Sequence, residues 1–176
     1  MIGDRYPLHH RSEVEVDADA HGLFAHLDDH RRLASHMEKP SLMRAGATMR
    51  VEMDALQGQP VGSLIRVTGR VLGVNLVVEE VVTERDPPLR KTWETRGEPR
   101  LLVIGSYRMG FTISPEGDRS RLVVFIDYQL PPRGFARWLA LLFGRPYAAW
   151  CTRRMANDTV AAIKEMKGAS IDPGAT

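Results

Sequence analysis

The chain has 176 residues, enough for one domain that buries roughly 70% of the surface its unfolded form exposes. Hydrophobic residues make up 43% and charged residues 26%, the profile of an ordinary soluble globule. The net charge of +2 comes from 24 cationic against 22 acidic residues, so bulk charge does not argue for nucleic acid.

A lone cysteine, Cys151, excludes an internal disulfide, and nothing requires an oxidising compartment. Met1 to Arg11 lacks the apolar run of a signal peptide. The apolar run Trp138 to Phe143 is far too short to span a bilayer. The expectation is a cytoplasmic protein.

In chain order, Ser12, Val14 and Val16 alternate with Glu13, Glu15 and Asp17, which predicts a half-buried strand over His10 to Val16. Asp17 or Asp19 then offers an N-cap for a short helix carrying Leu23, Phe24 and Leu27. Asp28 or Asp29 offers a cap for a second short helix with Leu33 and Met37, stopped by Pro40. From Met43 the period changes to two. Strands are predicted over Met43 to Met53, bent at Gly46, then Ser63 to Leu72, Leu76 to Arg85, Lys91 to Thr95, Leu101 to Ile113 and Leu122 to Leu130. Asp86-Pro87-Pro88 ends one strand because proline has no amide to give a ladder. Ser114 to Ser120 reads as a hairpin loop. The last helix, Gly134 to Lys167, is expected in two parts, broken near Gly144 and Pro146 and capped by Gly168. Its second part is amphipathic, with Tyr147, Cys151, Met155, Thr159 and Ile163 on one face. Residues 1–168 make one domain on this reading, and 169–176 a disordered tail.

Several segments sharpen this pattern: Leu27-Asp28-Asp29-His30, Ser35-His36-Met37, Pro87 to Glu94, Gly105 to Phe111, and Phe125-Ile126-Asp127-Tyr128. They resemble bacterial polyketide cyclase/dehydrase-like proteins of the START-like (SRPBCC) superfamily, and the likeness covers nearly the whole chain. The resemblance implies an α+β helix-grip fold, in which a curved antiparallel sheet of about seven strands wraps around a long C-terminal helix. Two short helices would follow the first strand. It also implies a cavity between sheet and helix. The superfamily includes lipid carriers, receptors, aromatase/cyclases and members with no known role.

On that fold, Trp93, Tyr107, Met109, Phe111, Tyr147 and Met155 are the expected lining of an apolar pocket; the same residue types also make an ordinary core. The leading expectation is non-catalytic binding of a small hydrophobic ligand, lipid- or polyketide-like. The alternative is a cyclase/dehydratase-type enzyme, for which Asp127, Glu94 and His36 are the acid/base candidates. Arg108 and Asp127 should lie opposite each other across the hairpin, with Glu94 on the next strand. Strand alternation turns Arg108 away from Tyr107 and Met109, so this trio is expected outside as surface ion pairs.

His26 and His30 are four apart, but Asp28 and Asp29 look like a helix break between them, and no metal is expected. No phosphate loop, dinucleotide fingerprint or nucleophile elbow occurs, and no cofactor is expected. Cys151 reads as an inert buried thiol. Phe135 to Phe143, apolar all round and flanked by Arg133, Arg137 and Arg145, has two readings. One is a helix buried between the sheet rim and the long helix, the preferred one; the other is a membrane-touching or partner-binding segment. The expected partner is a small hydrophobic molecule, with a second copy of the chain as an optional one in a homodimer. Nucleic acid and stable membrane insertion are not expected.

Overall fold

The computed structural model describes residues 5–29, 48–71 and 73–171. Seven strands and two helices follow in the order β1 (Leu8–Val16), α1 (Ala20–Asp28), β2 (Thr48–Met53), β3 (Leu64–Val71), β4 (Val74–Asp86), β5 (Arg90–Arg100), β6 (Tyr107–Glu116), β7 (Arg119–Tyr128) and α2 (Gly134–Ile171). The strands form one antiparallel sheet in the order β1-β7-β6-β5-β4-β3-β2. Strands β2 to β7 are a meander, and β1 joins the far edge beside β7 with Leu8 opposite Tyr128 and Val16 opposite Ser120. The sheet curves, and α2 lies against β1 and β7. This is the helix-grip arrangement. The second short helix and the Gly46 bend fall outside the described residues.

Alternation decides which side chains enter the space between sheet and helix. The inward set includes Ile65, Val67, Val78, Val82, Trp93, Met109, Phe111, Ile113, Leu122, Val124, Ile126 and Tyr128, all buried in one core with Leu23, Phe24 and Leu27 of α1. On α2 the buried face is Ala148, Thr152, Met155, Ala156, Thr159 and Ile163. Thr152 forms a polar seam with β1: its hydroxyl lies 2.8 Å from Ser12 Oγ and 3.0 Å from His10 Nδ1. Nearer the start of α2, small residues let the helix approach closely. A Cβ on Gly144 would stand 3.0 Å from the Val103 carbonyl oxygen.

Three sequence expectations are corrected. α2 is one continuous helix through Pro146 and Gly168 to Ile171, not two parts. The long strand expected from Leu101 begins only at Tyr107; residues 101–106 are a turn anchored where the Gly105 amide donates to the Gln129 carbonyl, and β5 runs on to Arg100 instead. The hairpin after β6 is tighter than expected, with Glu116 already paired to Arg119. Of the two residues offered as the cap of α1, Asp19 takes the role, accepting from the Gly22 amide at 3.0 Å.

Asp28, offered with Asp29 as the cap of the second helix that lies outside the described residues, closes α1 in the structure. It sits at the C-terminal end of α1, buried, where Lys91 Nζ donates to its carboxylate at 2.8 Å and to its carbonyl at 2.9 Å. Arg85 adds a second donor at 2.8 Å. Arg85 and Lys91 are paired across β4 and β5, so both reach inward at the same level and clamp α1 to the sheet. Burial pushes the Asp28 carboxyl up, but the hydrogen bonds and charges of Arg85 and Lys91 together hold it below the ordinary carboxylate value. For Lys91, which is fully buried, burial wins over Asp28 and lowers its hold on the proton. The two directions agree on one point: the clamp holds together at a desolvation cost, and losing one partner leaves a charge stranded.

Asp28→Ala should therefore destabilise the fold by about 3–5 kcal/mol in denaturant titration. Asp28→Leu combined with Lys91→Met should cost less than the sum of the single changes. Because the folded state depresses the Asp28 pKa, its contribution is present above the ordinary carboxylate value of 3.8 and is lost as pH falls through the lower folded value. The pH dependence of unfolding below about pH 4 should flatten in the Asp28→Asn variant.

Candidate functional site

The inward face of β4 carries one acidic residue. Val78 and Val82 are buried on that face, and Glu80 between them is buried too, while Glu79 points out to solvent. Glu80 pairs with Ile65 on β3 and Thr95 on β5, so the sheet register fixes its place in the interior. Thr95 in turn accepts from the Tyr107 amide at 3.2 Å. The Tyr107 hydroxyl donates to the Glu80 carboxylate, and both side chains are buried. Burial first, then the charge of Glu80 and the hydrogen bond to it, push the Tyr107 hydroxyl well above the ordinary tyrosine value. The phenol therefore stays a neutral donor at every physiological pH.

α2 brings two more groups to this point. Tyr147 and Cys151, one helical turn apart, are neighbours on α2, and both lie near enough to Tyr107 to act on its ionisation. The Tyr147 residue is 38% exposed at the helix surface, with Cys151 beside it on α2. The neighbouring Cys151, then burial, push the Tyr147 hydroxyl well above the ordinary tyrosine value. Burial pushes the Cys151 thiol up to about 12, only partly countered by Tyr147. A thiol held protonated is a poor nucleophile, which agrees with its reading as inert. The interior thus offers a carboxylate, two neutral phenols and a thiol, framed by apolar side chains.

Of the six residues expected to line a pocket, five are buried in the same core. Trp93 sits opposite both Val82 and Met109, and Phe111 packs edge-on against Phe24 of α1 at 5.8 Å between ring centres. Trp93, Tyr107, Met109, Phe111 and Met155 are buried, and only Tyr147 reaches the surface.

The expected catalytic candidates are elsewhere. Glu94, Arg108, Asp127 and His9 occupy one cross-strand row over β5, β6, β7 and β1, on the opposite face from Tyr107 and Met109. Arg108 stacks over the Phe125 ring at 5.8 Å, and the Tyr6 hydroxyl donates to Glu94 at 3.3 Å. Burial raises the Asp127 carboxyl against the opposing pull of Arg108 and His9. This row covers the outside of the sheet and cannot reach a molecule held between sheet and helix. His36 and His30 lie outside the described residues. Among the described residues no cluster of three metal-ligating side chains occurs.

Sequence reading missed Glu80, although a signal was present. Val77-Val78-Glu79-Glu80-Val81-Val82 puts two glutamates side by side in a strand, and alternation forces one of them inward.

The chain matches the family described as polyketide cyclase / dehydrase and lipid transport over residues 8–163. It belongs to that family. No curated protein matches it. Among solved structures it is similar to norcoclaurine synthase from Thalictrum flavum, a point mutant in complex with a transition-state analogue, at 20% identity and a TM-score of 0.59, covering 91% of this chain and 96% of that one. It is also similar to a protein from Thermus thermophilus at 16% identity and TM-score 0.61, covering 88% and 99%. A protein from Arthrobacter aurescens aligns at 15% identity and TM-score 0.62, covering 90% and 87%. At these identities the likeness establishes the fold alone.

Two outcomes test the cluster. Tyr107→Phe removes the donor to a buried carboxylate and should destabilise the protein by about 1–3 kcal/mol. Cys151 is half-buried, and its raised pKa should make it resist iodoacetamide at pH 8 in the native protein and react readily once unfolded; fast native alkylation would contradict a thiol held protonated.

Proposed function

We propose that the protein binds a small hydrophobic ligand, lipid- or polyketide-like, between the curved sheet and α2, with Glu80 and Tyr107 fixing its polar end. The observation that carries this reading is the Glu80 carboxylate turned inward between Val78 and Val82 and bonded to the Tyr107 hydroxyl. A buried acidic group costs free energy unless it is bonded, and a structural core gains nothing from it that valine would not supply. A ligand hydroxyl or amide is what such a group would orient. Trp93, Met109, Phe111 and Met155 would supply the apolar wall, with the methionines adaptable in shape. Membership in a family described as polyketide cyclase / dehydrase and lipid transport supports this ligand class.

The same pair favours a second reading. A carboxylate bonded to a phenol that stays protonated can take a proton from an enolisable substrate and stabilise the oxyanion that forms. This cyclase/dehydratase-type alternative rests on Glu80 and Tyr107 in place of Asp127 and Glu94.

Met109→Trp separates a cavity from a filled core. Extra bulk in a filled core would destabilise the protein by about 1–3 kcal/mol. A cavity should accept the indole with little change in stability, while binding of an apolar fluorescent probe such as anilinonaphthalene sulfonate is lost. Undiminished probe binding would remove Met109 from the lining. Glu80→Gln should weaken probe or ligand binding modestly if the role is orientation. Turnover of a candidate substrate lost without loss of affinity would favour the enzyme.

A further inference from the structure

The first part of α2 presents two unlike sides. Ala140, Gly144 and Ala148 are buried toward the sheet. The remaining circumference carries Phe135, Trp138, Leu141, Leu142, Phe143 and Trp150, exposed by 75%, 71%, 56%, 68%, 53% and 40%. The reading of Phe135 to Phe143 as a buried segment is thereby overturned. Single exposed apolar side chains are ordinary, but six large ones within about four turns of one helix form a continuous patch.

Charge indicates what the patch meets. Between Asp127 and Asp158 the chain has five arginines and no acidic residue. Arg133, Arg137, Arg145 and Arg153 are exposed along this part of α2 and its approach. A two-fold contact with a second copy would set these cations against their own counterparts. An anionic lipid surface satisfies both features. Tryptophan and phenylalanine enter the headgroup boundary, leucines reach the acyl chains, and arginine stems lie along the apolar surface with their guanidinium groups at the phosphates. No helix of the described residues is long and apolar enough to cross a membrane, so the contact is one of lying on the bilayer.

We propose that residues 135–150 of α2 are a docking face for an anionic membrane surface. Docking by this helix does not depend on the identity or existence of an interior ligand.

The test is co-sedimentation of the full chain with vesicles of phosphatidylcholine alone or of phosphatidylcholine mixed with phosphatidylserine, at low and high salt. The expected result is binding to the mixed vesicles that weakens about tenfold or more on neutral vesicles and in high salt. Leu142→Glu and the double change Arg137→Glu, Arg145→Glu should each abolish it; all three positions are exposed, so unchanged circular dichroism should accompany the loss. Absence of binding to both vesicle types, or binding indifferent to charge, would overturn the proposal. So would a dimer in sedimentation velocity that Leu142→Glu dissociates, since the patch would then be filled by a second copy.

Discussion

The register of β4 is the constraint on which the interior depends. Val78, Glu80 and Val82 share one side of the strand, and a slip of one residue would expose both valines and bury Glu79 in their place. Eight consecutive pairings with β3, from Leu64–Val81 to Val71–Val74, hold that register on one side. On the other side β5 holds it through pairs that include Glu80–Thr95 and Val82–Trp93. The carboxylate is therefore inside because hydrophobic burial of its neighbours leaves it no other place. Tyr107, two strands away, donates a hydrogen bond to it. Each buried valine contributes roughly 1.5–3 kcal/mol, enough together to hold one bonded carboxylate in the interior.

The ends of the fold use different physics. At one end, α1 is held by a buried ion cluster in which one carboxylate serves two cations from adjacent strands. At the other, α2 lies on β1 and β7 through small residues and the hydroxyl seam of Thr152, where close approach matters more than charge. Between them the sheet and helix face one another across Trp93, Tyr107, Met109 and Met155. Polar groups in that layer come from both sides: Glu80 and Tyr107 from the sheet, Tyr147 and Cys151 from α2. A molecule bound there would touch both, and its affinity would depend on α2 staying seated.

Most of the architecture was legible in sequence because period-two patterning is dense from Ser63 onward and proline pairs end two of the strands. The inward face of β6 was legible for the same reason: Tyr107, Met109 and Phe111 alternate with Arg108 and Gly110. What sequence hid was context. A Pro inside a helix is normally a break, yet Pro146 sits within a helix that packing holds on both sides of it. The strand expected from Leu101 begins six residues later because Gly105 is engaged by the Gln129 carbonyl in a turn that no local pattern announces. Asp28 looked like a cap because its partners, Lys91 and Arg85, are about sixty residues away. Phe135 to Phe143 looked like core because composition alone cannot distinguish a buried apolar helix from an exposed one. Glu80 was overlooked because an acidic residue in a strand is ordinarily a solvated one, and only the doubled glutamate hinted otherwise.

The central claim is that Glu80 and Tyr107 mark a site for a hydrophobic ligand with one polar end. The most direct measurement is native mass spectrometry of the purified protein, followed by denaturing extraction of whatever is bound. The account predicts a reproducible small apolar mass carrying an oxygen or nitrogen function, retained by the wild type and lost from a Met109→Trp protein that remains folded. A clean unliganded mass, together with destabilisation of Met109→Trp by the amount expected for an overfilled core, would contradict it.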